Sequence, residues 1–289
     1  MEMQRGALKL KDVRRRFDRA AAHFDEADFV HRASFDGLIE RLSPVKITPS
    51  WILDLGAATG HGSRQLARIF RKSRVVSFDV SGKMLRIARK KKPLLSKQTE
   101  LQGDAMHIPL QTGSIDLVFA NLILPWLSDL PDCLIEIVRI LKKGGVFAFA
   151  TLGPDSLAEL RSAWSGDDEY DHVNHFPDMH DVGDALMRAG LRDPVLDIDH
   201  FAVTYRDNDS LYRDLTANGG RNSLGNRRKT LTGRGRFDSM EKALAARHKD
   251  GHLPLNLELV YGHTWGAGPR LSAGEYYFEP TAITRRAQR

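Results

Sequence analysis

Cysteine and long apolar runs are scarce in this sequence, and each scarcity removes a class of protein. The single cysteine, Cys133, excludes an intrachain disulfide and a structural zinc site built from cysteines. No apolar run is long enough to span a bilayer. The first residues also lack the apolar core of a secretion signal. We therefore expect a cytoplasmic protein with no membrane partner.

The sequence also lacks a set of catalytic residues that can be recognised from their spacing. Neither a serine, histidine and aspartate set nor a cysteine and histidine pair can be placed together, and we expect no bound metal. The eleven histidines are scattered along the chain, and we interpret six of them as structural. These six are His23, His31, His61, His107, His175 and His180.

The sequence is rich in charged residues, and the basic ones outnumber the acidic ones. The chain has 43 lysines and arginines against 37 aspartates and glutamates, which gives a net charge of +6. A hydrophobic content of 42% and a charged content of 28% are typical of a globular protein. The positive balance favours an acidic partner, and by itself it does not choose among nucleic acid, anionic lipid and acidic protein.

A strand, a turn of small residues and a helix follow one another early in the chain. Residues 51–55 form a short apolar run typical of a buried parallel strand, and residues 62–72 carry apolar side chains at helical spacing. Between them, Gly56 and Gly60 permit positive φ angles and a close approach of the backbone to a ligand. The first N–H groups of the helix would face a polar or anionic group. This succession predicts the first unit of a nucleotide-binding α/β sheet.

Three further strand ends carry polar residues. Asp79 ends a strand at residues 74–79, roughly 20 residues past the turn, where an acid can hold ribose hydroxyls. Asp104 follows a short β-prone run, and Asn121 ends a strand at residues 115–121. Together with the glycine turn, these strand ends predict a Rossmann-like α/β fold.

The remaining elements are predicted from periodicity and from glycine and proline positions. Residues 11–42 are expected to be helical, with a break near Ala33 and Ser34. Further helices are expected at residues 83–92, at 131–143 with Gly144 and Gly145 ending it, and at 178–189 with Gly190 ending it. Further strands are expected at residues 146–151, 194–205 and 257–263. The predicted organisation is a helical cover (1–50), a core (51–206), a basic insertion (207–252), and a last strand with a basic tail (253–289).

The basic insertion, residues 207–252, is too long and too basic for a simple connection between two strands. Arginines and lysines recur in it between glycine-rich turns. We interpret it as a largely helical lid inserted before the last strand.

These motifs resemble those of the S-adenosylmethionine-dependent methyltransferases of the Rossmann-like class. Longer stretches resemble the biotin-pathway malonyl-acyl-carrier-protein O-methyltransferase family, and the likeness extends from about residue 13 to residue 266. The stretches are FDRAA at residues 17–21, Asn121 and Leu122 with Trp126, NHFPDMHDVGDAL at residues 174–186, LTGR at residues 231–234 and VYGHTW at residues 260–265. The resemblance implies a seven-stranded, mostly parallel sheet with helices on both faces. It also implies methylation of the free carboxyl of malonyl-acyl carrier protein, on the route to the pimeloyl precursor of biotin.

By this resemblance the cofactor is S-adenosylmethionine, and the product is S-adenosylhomocysteine. Asp54 would accept from its ammonium group, Asp79 from its ribose hydroxyls, and Met84 would lie against the adenine. The other expected cofactor residues are Gly56, Ala58, Gly60, Val80, Asp104, Ala105, Met106, Asn121 and Leu122. No general base is expected, because a carboxylate is already ionised at neutral pH. The candidates for a role beside the reacting groups are Phe24, Asn121 and Trp126.

The implied partner is an acidic acyl carrier protein that carries malonyl. Arg221 is predicted to pair with the malonyl carboxylate, since a guanidinium can hold a carboxylate with two hydrogen bonds. The cations predicted to attract the carrier surface are Arg227, Arg228, Lys229, Arg234 and Arg236. The sequence leaves open the oligomeric state and whether a coenzyme A thioester replaces the carrier.

Three positions depart from the family pattern. Ala58 stands where a glycine is usual, Phe24 where tyrosine is frequent, and Pro125 where a polar residue is usual. Two alternatives therefore stay open: a relative that modifies a protein side chain, like the arginine-hydroxylating assembly factors of respiratory complex I, and a non-catalytic cofactor-binding assembly protein. A nucleic-acid substrate is not expected, because the fourth strand lacks an Asn-Pro-Pro-aromatic motif and Cys133 has no second cysteine.

Overall fold

The computed structural model describes residues 8–164, 170–228 and 230–268. The helices are α1 (Leu10–Ala20), α2 (Phe29–Leu42), α3 (His61–Ile69), α4 (Gly82–Lys91), α5 (Leu130–Ile140), α6 (Ala158–Ala163), α7 (Met179–Ala189), α8 (Asn208–Ala217) and α9 (Arg234–Ala245). The strands are β1 (Trp51–Leu55), β2 (Arg74–Asp79), β3 (Gln98–Gln102), β4 (Ile115–Asn121), β5 (Leu141–Leu152), β6 (Leu191–Tyr205) and β7 (Leu253–Gly266).

The strands form one seven-stranded sheet in the order β3-β2-β1-β4-β5-β7-β6. The neighbouring strands from β3 to β5 are parallel, whereas β7 pairs antiparallel with both β5 and β6. Helices connect β1 to β2, β2 to β3 and β4 to β5, because a parallel pair needs a long crossover. The predicted Rossmann-like, mostly parallel sheet is confirmed.

The centre of the sheet is buried on both faces. Along β4, Val118 and Ala120 pack into one apolar cluster with residues of α5 and α7, while Leu117 and Phe119 pack into another with residues of α2 and α3. This alternation follows from the two-residue period of a strand. Cys133 is fully buried in α5 within the first cluster. Helices on both faces are therefore confirmed.

The predicted break near Ala33 and Ser34 is wrong. α2 runs through both residues, because Ser34 is buried and its Oγ donates a hydrogen bond to Asn121 Oδ1 over 2.7 Å. The chain leaves the α-helical conformation earlier, over residues 21–28, where a short 3-10 helix (Phe24–Glu26) places Phe24 in the interior. Ser34, on which the predicted helix break rested, is therefore accommodated inside α2 by a hydrogen bond to β4.

Gly144 and Gly145 also differ from their predicted role. α5 ends at Ile140, and β5 begins at the next residue. Gly144, with φ 73°, lies in an irregular part of β5, where the pairing register against β4 shifts. These glycines therefore permit a bulge in a strand instead of ending a helix.

Two helical segments lie over the ends of the strands where polar residues were predicted to meet. α1 packs on α4, with the Asp18 carboxylate accepting from Ser81 Oγ over 2.7 Å. α8 and α9 lie within the basic insertion and pack, together with α6, on the start of β7. None of the helices in the described ranges combines the length and the apolar character that crossing a bilayer requires.

Candidate active site

Two adjoining cavities open at the carboxyl ends of the parallel strands. The smaller, which we name the nucleoside cavity, measures about 80 Å³ and is lined by Gly56 after β1, Asp79 at the end of β2 and Asn121 at the end of β4. The larger, which we name the acceptor chamber, measures about 630 Å³ and lies beneath α8 and α9. His31, Leu122 and Trp126 line both cavities and form the wall between them.

The turn after β1 is built for close backbone packing. Gly56 and Gly60 have φ angles of 81° and 78°, and the N–H of Gly56 donates to Phe78 O over 2.8 Å. A Cβ on Gly56 would lie 2.8 Å from the Cβ of Ile123, so no side chain fits there. Ala58 also has a left-handed backbone, with φ 46°, and it lines the nucleoside cavity. The alanine that departs from the family pattern thus carries a conformation that favours glycine.

Asp79 presents an acceptor group to the nucleoside cavity. Its carboxylate accepts from the N–H of Ala58 over 2.9 Å and from the N–H of Ser81 over 2.7 Å. Burial raises the pKa of Asp79 to about 6, although both hydrogen bonds act to lower it. Each carboxylate oxygen can accept a further hydrogen bond, so the group can hold vicinal hydroxyls.

Beyond β3, a short turn supplies the far side of the nucleoside cavity. Asp104, Ala105 and Met106 line it, together with Val80 from the turn after β2. The Asp104 carboxylate accepts from the N–H of Met106 over 3.0 Å, which holds the turn in shape. An aromatic base would meet apolar side chains here and one carboxylate at their edge.

Three of the predicted cofactor residues do not line either cavity. Asp54 points toward the start of α3, where it accepts from Ser63 Oγ, and burial raises its pKa to about 7. Gly60 forms the left-handed N-cap of α3. Met84 is fully buried beneath the nucleoside cavity, in an apolar cluster with Ala20 and Phe24. Asp54 and Met84 therefore pack behind the nucleoside cavity, whereas Asp79 and Val80 line it.

The three residues predicted to lie beside the reacting groups all line the nucleoside cavity, and Trp126 also belongs to the wall. Phe24 and Leu122 line the nucleoside cavity, and Leu122 has a left-handed backbone with φ 58°. Asn121 uses its whole amide for structure: Oδ1 accepts from Ser34 Oγ, and Nδ2 donates to His31 O over 2.8 Å. Trp126 packs edge-on against Phe17 of α1, with ring centroids 5.0 Å apart. Asn121 therefore positions α2 against β4.

The acceptor chamber is apolar inside and cationic at one side. Leucines, aromatic residues and Met240 form most of its lining, and Arg16, Arg221 and Arg228 add positive charge. Arg16 Nη2 donates to Asn222 O, while Arg16 Nε is buried with no hydrogen-bond partner in the described part of the chain. Burial, followed by the charges of Arg227 and Arg221, lowers the pKa of Arg16 to about 10.

Sequence reasoning missed Arg16 and assigned His31 to structure. Arg16 stands in a run of three arginines on α1, a pattern typical of a solvated helix face. Only the packing of α1 over the cavities distinguishes it from Arg14 and Arg15, both of which are exposed. For His31, no local signal exists, because its placement depends on the bend over residues 21–28.

The structure places the predicted substrate and carrier residues in different surroundings. Arg221 and Arg228 line the acceptor chamber, and the Arg228 guanidinium lies 4.7 Å from the Tyr170 ring centroid. Arg227 forms an ion pair with Asp12 of α1 over 3.5 Å. Arg234 and Arg236 are exposed on α9. Lys229 lies outside the described residues.

The described part of the chain contains no cluster of side chains typical of a metal site. No group of three or more histidine, cysteine, aspartate or glutamate side chains lies close enough there to hold an ion.

Comparison with known proteins assigns the sheet and its strand-end turns to a known family. Residues 53–149 match the family model described as a methyltransferase domain. The chain is similar in fold to a putative methyltransferase from Bacillus halodurans (TM-score 0.59, 14% identity, 81% of this chain and 99% of that one). It is likewise similar to the YcgJ protein of Bacillus subtilis (TM-score 0.58, 14% identity, 82% of this chain and 100% of that one).

Relatives with higher identity share nearly the whole chain. The malonyl-[acyl-carrier protein] O-methyltransferase of Methylovorus sp. is 40% identical over 266 residues, which are 90% of each chain. The protein of the same name from Halorhodospira halophila is 42% identical over 258 residues, which are 89% of this chain and 88% of that one. On this identity and coverage, the chain belongs to the malonyl-[acyl-carrier protein] O-methyltransferase family.

Proposed function

We propose that this protein transfers a methyl group from S-adenosylmethionine to the free carboxyl of malonyl-acyl carrier protein. The observation that carries the proposal is the pair of cavities meeting at one wall, with strand-end carboxylates on one side and arginines on the other. A donor held in the first cavity and an acceptor held in the second would meet at His31, Leu122 and Trp126.

The nucleoside cavity fits S-adenosylmethionine by its donor and acceptor groups. Asp79 would accept from the ribose hydroxyls, and Asp104 from the adenine amino group. Gly56 lines the cavity with main chain alone, and the amino-acid portion would lie against this backbone. The cofactor supplies a methyl group that its positively charged sulfur already activates. The residues of the chain therefore have to position the reactants and exclude water.

The acceptor needs no proton removed from it. A malonyl carboxylate has a pKa near ~4 and is ionised at neutral pH, so its oxygen is already nucleophilic. We propose that Arg16 and Arg221 hold this carboxylate. They are close enough for their charges to interact, and both line the acceptor chamber. The buried Nε of Arg16 is a donor for which the described residues supply no acceptor.

The rest of the chamber suits a long thioester arm. Its volume of about 630 Å³ exceeds what a malonyl group alone requires, and its apolar lining would enclose the arm that joins malonyl to the carrier. The acidic carrier protein itself would meet the exposed cations of the basic insertion. In this function the product ester hides a charge and lets chain elongation proceed toward the biotin precursor. The cytoplasmic location stays a prediction.

Complementation combined with mass spectrometry tests the proposal. A biotin auxotroph that lacks its own methyltransferase should grow when it carries this gene, and extracts should contain the methyl ester of malonyl-acyl carrier protein. Asp79→Ala should abolish both results. Asp184→Ala, at an exposed position of α7 outside both cavities, should abolish neither. Cofactor binding without ester formation would contradict the proposal and favour the non-catalytic alternative.

A further inference from the structure

The wall between the two cavities is where the new bond has to form. If the methyl donor occupies the nucleoside cavity and the carboxylate occupies the acceptor chamber, the two can meet only where the cavities adjoin. Reacting atoms must come within about 3–3.5 Å of each other. Of the three wall residues, Leu122 is apolar, so any hydrogen bond to the acceptor at this point comes from His31 or Trp126.

The main chain of His31 holds its side chain in place. The carbonyl of His31 accepts from Asn121 Nδ2 over 2.8 Å and from Ser34 Oγ over 3.2 Å. The ring packs edge-on against Phe24, with centroids 5.0 Å apart. Backbone hydrogen bonds and one ring contact therefore fix the imidazole at the wall.

The imidazole is half-buried, and one of its two nitrogens has no hydrogen-bond partner among the described residues. This nitrogen is Nδ1, which is itself buried. Burial lowers the pKa of His31 to about 4, and the opposing effect of Asp28 is smaller. Asp28 is itself paired with Arg32 over 2.8 Å. The ring is therefore neutral near pH 7 and carries one N–H donor in either tautomer.

A buried polar group without a partner is costly, and each such group in a folded protein needs an explanation. Because the described residues offer His31 Nδ1 no hydrogen-bond partner, a ligand that enters beside the ring can supply one. In the nucleoside cavity, Asp79 and Asp104 already supply hydrogen-bond acceptors for the methyl donor. The methyl acceptor is an ionised carboxylate, and it needs a group that donates a hydrogen bond. A neutral imidazole supplies that donor without adding charge beside a sulfonium.

We propose that His31 donates a hydrogen bond to the acceptor carboxylate at the wall, on the oxygen that does not attack. This inference rests on the proposed function and adds a residue to it. In the reaction the other carboxylate oxygen forms the new C–O bond while the C–S bond breaks and its electron pair stays on sulfur. No proton moves, so His31 orients the carboxylate and does not act as a base.

Substitution at His31 should impair orientation of the acceptor carboxylate and should leave cofactor binding intact. His31→Phe should lower kcat about 10- to 100-fold, which is the range for losing one hydrogen bond to a charged group, and should leave the affinity for S-adenosylhomocysteine within about two-fold of wild type. His31→Gln keeps an N–H donor and should recover part of kcat. His61→Phe is the matched control, because His61 also packs edge-on against a phenylalanine but lines neither cavity.

A spectroscopic measurement keeps the test independent of turnover. In the S-adenosylhomocysteine complex of full-length protein labelled with ¹⁵N-histidine, adding a malonyl thioester should shift the His31 ring nitrogen resonances, and adding the corresponding uncharged methyl ester should shift them less. Unchanged resonances, or His31→Phe with wild-type kcat in an enzyme that makes the ester, would overturn the inference. A loss of kcat in Trp126→Phe without one in His31→Phe would overturn it too. Failure of the wild-type enzyme to make the ester would instead refute the proposed function.

Discussion

Burial sets the charge of Asp79, the carboxylate that faces the nucleoside cavity. Its pKa is raised from an unperturbed 3.8 to about 6, so between these two pH values the folded, cofactor-free protein keeps the carboxyl protonated while the unfolded chain ionises it. Its contribution to stability is complete below pH ~4 and is lost as the pH rises through about 6. Ribose binding instead favours the ionised form of Asp79, because the ribose hydroxyls donate hydrogen bonds to the carboxylate.

This opposition predicts how cofactor affinity depends on pH. The dissociation constant of S-adenosylhomocysteine should rise up to ten-fold for each pH unit below about 6, and calorimetric titrations across this range would measure it. Asp79→Asn should bind weakly with little pH dependence. Asp54→Asn is the control, since Asp54 lies outside the cavity and, with a pKa raised to about 7, is already mostly protonated below pH 6. It should leave the pH dependence of binding in place.

Ala58 allows a second prediction at the scale of one residue. An alanine with φ 46° is in a conformation that costs it about 1–2 kcal/mol relative to a right-handed one, whereas glycine adopts it freely. Glycine also loses more entropy on folding, by roughly 0.4–1 kcal/mol. Ala58→Gly should therefore leave the free energy of unfolding equal or raise it by up to about 1 kcal/mol, and should tighten S-adenosylhomocysteine binding because a methyl group leaves the cavity lining.

Urea unfolding and calorimetry would measure these two effects. Ala57→Gly provides the contrast, because Ala57 is buried with an ordinary negative φ and should only lose stability. Equal destabilisation by both substitutions would show that the left-handed backbone at Ala58 carries no strain.

At the scale of elements, the sequence predicted what local pattern controls and missed what packing controls. β1, β2 and β4 follow from apolar runs that end in glycine, aspartate or asparagine, and their bounds agree with the structure. The bend over residues 21–28 contains neither proline nor glycine, and it exists because Phe24 packs with Met84 in the interior. The wall residues depend on this bend, so the position of His31 could not be predicted from its neighbours in the chain.

α1 is the element most directly coupled to cofactor entry. Leu10, Val13 and Phe17 project from it into the nucleoside cavity, whose volume of about 80 Å³ is well below the ~300 Å³ of a typical ligand site. We therefore expect α1 to move outward when a nucleoside enters. We expect hydrogen exchange of the α1 amides to be faster without cofactor and slower in its presence, while α5 amides stay equally protected. Equal exchange of α1 in both states would contradict this prediction.

At the scale of the whole molecule, charge and chemistry are arranged on different parts of the fold. The parallel sheet presents carboxylates at its strand ends, where a cationic cofactor would bind. The insertion between β6 and β7 brings arginines over the acceptor chamber, where an anionic acceptor would bind. Its outward side carries Arg234 and Arg236, which are too exposed to bind a substrate in the chamber and are placed to attract a large acidic partner.

Charge reversal on α9 tests this division. Arg234→Glu combined with Arg236→Glu should lower kcat/KM for malonyl-acyl carrier protein about ten-fold at ~0.02 M salt, and the deficit should shrink at ~0.5 M salt, where exposed charges are screened. The same pair should leave kcat/KM for a small malonyl thioester unchanged, because the chamber itself is intact. Lys83→Glu with Arg86→Glu on α4 is the matched control, since both positions are exposed on another basic helix. If only the α4 pair slows the reaction with the carrier, the docking surface lies on α4 and the insertion serves the acceptor chamber alone.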